Sequence, residues 1–435
     1  MESRPMPLGA VAAVCALLVG LASAMTLAGI ALAADGAFQL VQVLAAGDVY
    51  GLDARILGAA AHQGAVVLAA RAGETDTHTL TVLLGVGQLL LPATAWALCV
   101  VLTRSDRLVC AAVAMIAGLS AGATWFVNVS EIVLAAPLTT VVAVCLWQPR
   151  SWRWHDTAVA ATAATVLVAA YETALATGLV LAIWAAWRAR GSRQALDRIG
   201  CTLVSALSAL SLGVAAWGTR TGSNPTHSQS LLYFVVSLEP WPLYLGLAGI
   251  AAAVAALGPW LTGTLRLVIL IGGCSALGTA ALGLEPGPVT AFEARGGAAI
   301  AAFALELFLL WRWIERRRPP RTVRSWRPGD RLAVLVPLAL VAALVGSNVQ
   351  PIRTWSRSLD AFRVEVDRAP GIRYAVGELP SNRRDVLWGW TASSLSLVVR
   401  SRPDAGILVD RNPSLVPFPA DDTREQLADE YLWRR

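Results

Sequence analysis

Residues 8–33 hold 26 consecutive positions without a charged side chain, and comparable stretches recur along most of the 435-residue chain. This feature constrains the fold more than any other. About 20 apolar residues in a helix cross the ~30 Å hydrocarbon layer of a bilayer. In lipid every backbone N–H and C=O must be satisfied within the protein, which leaves helices and closed barrels. Apolar runs of this length belong to helices. Candidate spans cover 8–33, 80–102, 108–127, 131–147, 201–218, 242–264, 266–284, 297–314 and 332–347, and 157–187 is a further apolar segment.

Segment 157–187 is too long for one crossing. As a single helix it would extend roughly 46 Å, which demands strong tilt. Arginine distribution decides how to read it. All 35 Lys and Arg residues are Arg, and arginine marks the cytoplasmic side of membrane proteins. A break near Tyr171-Glu172-Thr173 gives eleven spans and a cytoplasmic N-terminus. That topology places 18 arginines in inside loops and four (Arg55, Arg71, Arg220, Arg295) in outside loops. Without the break every later loop inverts, and the block from Trp311 to Arg331 falls outside. The sequence therefore predicts two helices there.

Composition agrees with a membrane chain and removes some chemistry. Charged residues make up 15% of the sequence, against about 25% in soluble domains. Without lysine there is no Schiff-base amine and no phosphate-loop lysine. The six cysteines (Cys15, Cys99, Cys110, Cys145, Cys201, Cys274) all sit in apolar runs without metal-ligand spacing and read as small buried hydrophobes. Residues 8–33 are longer than a secretory core and are read as a retained first span.

On this topology, 34–79 is a large extracytoplasmic loop. Asp35, Gln39 and Gln42 repeat at i, i+4 and i+7, a helical polar stripe, with Phe38, Val41 and Leu44 opposite,. The pattern predicts an interfacial helix with its apolar side chains in lipid. A second amphipathic stretch, 52–70, carries Arg55 and His62. His62 reads as a solvated loop residue or a substrate contact, and Gln39, on the polar stripe, as a substrate contact. Glu131 opens the fourth span and Glu172 sits at the predicted break. A carboxylate at bilayer depth costs on the order of 2.5–3.5 kcal/mol on insertion scales. A ring formed by Asp35, Glu131 and Glu172 can deprotonate an alcohol, hold a divalent cation or bind a cationic ligand. Glu306 lies midway along 297–314. Arg220 and Arg295 border later outward loops, where a guanidinium can hold a lipid phosphate in bidentate fashion.

After residue 347 long apolar runs stop. Phe362–Arg368, Ile372–Leu379, Ser394–Ser401 and Ala405–Arg411 read as short strands between turns, and Thr423–Arg435 as a short helix,. The fold class expected is an all-α polytopic membrane protein of about eleven spans (1–347) with a small extracytoplasmic α/β domain (348–435).

The layout resembles the C-type (GT-C) glycosyltransferases. The matching features are Asp35 directly after the first span, the long first outward loop, short outward turns bearing Glu131 and Glu172, and a soluble tail. The resemblance is one of architecture, over roughly 1–347, and the paired-acid Asp-x-Asp motif of some members is missing. It implies an enzyme that takes a sugar from a polyprenyl-phosphate donor to a cell-envelope glycan or protein acceptor at the outer face of a bacterial plasma membrane. It assigns Asp35 as catalytic base, with Asp48 second. Glu131 and Glu172 would orient the acceptor or a cation, and Arg220 or Arg295 would hold the donor phosphate. No cofactor is implied beyond a divalent cation, whose need is left open; membrane lipids are partners and nucleic acid is not. Two rivals stand beside it. One is a transporter or flippase of lipid-linked sugars coupled through Glu172 and Glu306. The other is a non-enzymatic envelope scaffold.

Overall fold

The computed structural model describes residues 4–33, 35–51, 55–123, 132–170, 174–221, 288–317, 332–368, 392–405, 427 and 429–434. The described residues are overwhelmingly helical. The helices are α1 (Leu8–Leu27), α2 (Gly36–Ala46), α3 (Ile56–Arg71), α4 (Thr77–Gly85), α5 (Leu91–Thr103), α6 (Arg107–Ala123), α7 (Ile132–Trp147), α8 (Trp154–Leu167), α9 (Ala174–Gly191), α10 (Ala195–Thr221), α11 (Pro288–Arg317), α12 (Leu332–Arg368) and α13 (Ala392–Val399). A π-helical segment, Val86–Leu90, joins α4 to α5. Among the described residues, three helical stretches are long and apolar enough to cross a membrane: Leu8–Leu27, Thr77–Thr103 and Ala195–Gly218. The first ends earlier than its apolar run, because Gly29 takes a left-handed conformation (φ 70°) before a short 3-10 turn, Ile30–Leu32,. The 157–187 segment is two helices, α8 ending at Leu167 and α9 starting at Ala174. Spans 242–264 and 266–284 lie outside the described residues.

The chain divides into two units. One comprises Met1–Leu18, Ala93–Thr124 and Ile132–Gly346; the other comprises Val19–Pro92, Trp125–Glu131 and Ser347–Arg435. In the first, α7 is buried on nearly every face, as expected of a helix that is apolar all round. It packs against α8 and α11, while α9 and α10 form a hairpin. Small residues let that hairpin close: a Cβ at Gly178 would come within 3.0 Å of the Ser208 carbonyl oxygen,.

Arginine-rich connections gather at one end of this unit. Met6 N–H donates to Arg104 O at 2.8 Å and Arg107 Nη2 to Pro5 O at 3.1 Å. Arg188, 4% exposed, donates to the carbonyls of Leu146 (2.5 Å), Gln148 (2.6 Å) and Arg150 (2.8 Å) and to Asp197 (3.2 Å). It satisfies carbonyls at and just beyond the α7 C-terminus, which the helix itself leaves without partners. Asp106 is wholly buried. Its Oδ1 accepts from Leu108 N and Val109 N at the start of α6, and its Oδ2 meets Arg312 at 3.2 Å and Arg316 at 2.7 Å.

In the second unit the tail departs from the strand reading. Phe362–Arg368 is helical, the end of α12. Its apolar residues alternate as in a strand, but Trp355, Leu359, Phe362 and Val366 are buried, at helical spacing, whereas Val364 is 39% exposed,. Ser394–Val399 is likewise helical, within α13, and packs on α2 and α4. The alternation of Ser and Leu mimics a strand, yet every residue from Ser393 to Arg400 is buried, so no polar face selects a period. The expected strands at 372–379 and 406–411 lie outside the described residues. The end of the chain pairs with the first loop through an isolated parallel bridge, Asp76 with Leu432. Thr77 Oγ1 donates to Val398 O at 2.6 Å, and Asp76 caps α4 through His78 N and Thr79 N,.

Candidate functional site

The polar stripe read from the sequence is on α2. Asp35 occupies its N-cap position but makes no side-chain cap bond. The residue is half-buried and its Oδ1 is buried. Gln39 follows one turn later on the same face. Opposite the stripe Phe38 and Val41 turn inward to protein, 9% and 1% exposed, and Leu44 is half-buried; Leu40 and Val43 are at most 1% exposed as well. The buried ones fill the unit's core instead of meeting lipid, because α3, α13 and the turn Ile30–Leu32 supply the apolar surface that α2 needs.

Gln39 is the centre of an amide cluster. Its Oε1 accepts from Gln88 Nε2 at 3.1 Å and from Gln63 Nε2 at 3.4 Å. Gln63 is 1% exposed and also pairs with both backbone groups of Tyr50, at 2.8 and 2.9 Å, which holds the loop after α2. Gln88 is 1% exposed, and its Oε1 has no hydrogen-bond partner among the described residues. The π-helical segment sets its position: one extra residue in the turn shifts the ladder, a device frequent at functional sites. Packing there depends on Gly87, where a Cβ would fall 2.0 Å from the His62 carbonyl oxygen. Gly87→Ala therefore forces α3 and the π turn apart and destabilises the protein by at least about 1–3 kcal/mol; the melting temperature of the purified variant measures it.

His62 is not a solvated loop residue. It lies inside α3, 2% exposed, and its Nε2 has no hydrogen-bond partner among the described residues. Gly87 sits on its backbone, so the close helix approach that the bare glycine allows excludes water from the ring. Burial lowers the imidazole pKa from 6.5 to about 4, because the charged ring is poorly solvated there. Below about pH 6.5 the unfolded chain takes up a proton that the folded one refuses. Stability is thus full above that pH, falls on acidification toward pH 4, and levels off beyond it. The total loss is on the order of 3 kcal/mol. Melting curves between pH 7 and pH 4 should show it, with a shallower slope in His62→Gln.

The remaining predicted residues divide. Asp48 is exposed, 3.4 Å from Arg71, beyond the opposite end of α2 from Asp35. An 11-residue helix is about 16 Å long, so the two aspartates do not converge on one reacting atom. Arg220 is exposed in the last turn of α10. Glu131, Glu172 and the side chain of Arg295 lie outside the described residues. Among the described residues no three His, Cys, Asp or Glu side chains come together as a metal site. Gln63 and Gln88 were missed by the sequence reading. The available signal was a single amide beside two glycines in the uncharged run 80–102. The arrangement presents a carboxylate and an amide one turn apart on α2, with two buried amides from α3 and the π-helical segment meeting the latter, groups suited to receiving a proton and hydrogen-bonding hydroxyls. Compared with known protein families, curated proteins and solved structures, the chain matches none.

Proposed function

We propose that this chain is a membrane glycosyltransferase that uses a polyprenyl-phosphate sugar and an envelope acceptor, with Asp35 as base. The observation that carries the reading is the Asp35 carboxylate, which heads α2 without capping it and stands one turn from the Gln39–Gln63–Gln88 cluster. In the reaction the acceptor hydroxyl oxygen bonds to the anomeric carbon as the bond from that carbon to the phosphate oxygen breaks. The hydroxyl proton passes to Asp35, and polyprenyl phosphate leaves with the bonding pair, so the anomeric centre inverts. The amides fix hydroxyls of sugar or acceptor, which supplies orientation.

One observation favours the transporter reading. Glu306 in α11 is 1% exposed, and neither carboxylate oxygen has a hydrogen-bond partner among the described residues. Such residues mark ion and substrate paths in membranes. Proteoliposomes loaded with radiolabelled polyprenyl-phosphate sugar and a glycan acceptor separate the two. Glycosylated product that Asp35→Asn abolishes supports the enzyme. Movement of the sugar lipid across the bilayer without product, lost in Glu306→Gln, overturns it.

A further inference from the structure

We infer that the arginine–tryptophan cleft of the first unit binds a phosphate-bearing anion, independently of the glycosyltransferase reading. The cleft encloses about 430 Å³ between the C-terminal ends of α7, α9 and α11 and the loops that follow α7 and α9. Pockets of about 300–1,000 Å³ take small ligands. Its wall holds five arginines, Arg150, Arg188, Arg193, Arg316 and Arg317, and one carboxylate, Asp197.

These arginines are not equivalent. Arg188 is engaged by backbone carbonyls and Asp197, and Arg150 pairs with Asp156 through two bonds of 2.6 and 2.7 Å. Both are structural. Arg316 stacks over Trp147 at 4.3 Å and Arg317 over Trp313 at 3.9 Å. Arg316 also donates to Asp106 at 2.7 Å; at Arg317 stacking fixes the guanidinium plane and leaves its N–H edge to donate, the geometry that grips phosphate oxygens. Arg193 and Arg317 are both exposed, and neither has a carboxylate within ion-pair distance among the described residues. Gly191 keeps room for the Arg317 head, since a Cβ there would lie 3.3 Å from its Nη1. The cleft thus offers Arg317, oriented by stacking, and Arg193 as donors that stand in no ion pair among the described residues, while Arg316 is held by Asp106. A phosphate diester or diphosphate matches both the charge and the donor geometry.

The test uses the delipidated full chain in detergent with two probes. Short-chain phosphatidylglycerol, compared with phosphatidylcholine by native mass spectrometry, represents a lipid headgroup. Pyrophosphate, followed by calorimetric titration, represents a free anion. Either preferential phosphatidylglycerol binding or pyrophosphate binding is expected, and which one occurs identifies the source. Affinity should fall about tenfold or more in Arg193→Ala/Arg317→Ala, with an unchanged melting temperature because both side chains are exposed. Arg193→Ala alone gives a smaller loss and guards against misfolding of the double variant. Failure of both probes to bind the wild type overturns the inference. So does equal binding by the double variant, which would leave these arginines as solvated membrane anchors.

Discussion

On the proposed glycosyltransferase reading, Asp35→Asn is expected to lower sugar transfer by roughly 10²–10⁴-fold, the usual contribution of a positioned general base, while the protein folds and melts as the wild type does. The substitution is nearly isosteric. Because the Asp35 side chain makes no cap bond to α2, removing its charge does not release the helix N-terminus. An amide in its place accepts no proton at neutral pH, so the loss falls on turnover and not on donor affinity. Asp48→Asn, at the far end of the same helix and exposed beside Arg71, leaves transfer within about twofold, since an exposed ion pair contributes little. Initial rates in proteoliposomes with saturating donor read both. Full activity in Asp35→Asn would sink the base assignment.

Asp106→Ala destabilises the protein by about 3–5 kcal/mol from the broken buried pairing, with about 1 kcal/mol more from the lost cap. Against total stabilities of about 5–15 kcal/mol, much of the folded protein disappears. The physical reason is that one carboxylate at 0% exposure ties two helices together: it starts α6 and receives Arg312 and Arg316 from α11. Deleting it takes from two neighbouring guanidinium groups the carboxylate they share. Asp106→Asn keeps an acceptor for the cap and should recover only that smaller part. Replacing Arg312 and Arg316 by methionine in the Asp106→Ala background removes the two charges that met at Asp106 and should restore most of the melting temperature. Thermal melts in detergent of the single, double and triple variants distinguish charge pairing from capping.

Much of the helical framework was legible in the sequence. Uncharged apolar runs define helices because their backbone has no other way to be satisfied in lipid. The balance of arginines predicted a break near residue 171, and α8 and α9 end and begin on either side of it. The stripe of Asp35, Gln39 and Gln42 likewise marked α2 and its polar face. Where the pattern fitted two periods, local reading failed. Phe362, Val364 and Val366 alternate as in a strand, and the partners of α12 decide that Phe362 and Val366 are buried while Val364 is not.

The candidate site was legible only along one helix. Asp35 and Gln39 are four residues apart, so periodicity alone aligns them. Gln63 and Gln88 reach Gln39 from 24 and 49 residues away, and no local pattern encodes that meeting. The same holds for Asp106 and its arginines, 206 and 210 residues distant. By itself the sequence determined that the long apolar runs are helices and that α2 has a polar face, because periodicity and hydropathy act over a few turns. Tertiary structure alone decided which polar groups meet, that His62 is buried, and that a glycine must lie against its carbonyl. Those outcomes depend on helix packing at van der Waals distance between segments remote in the chain.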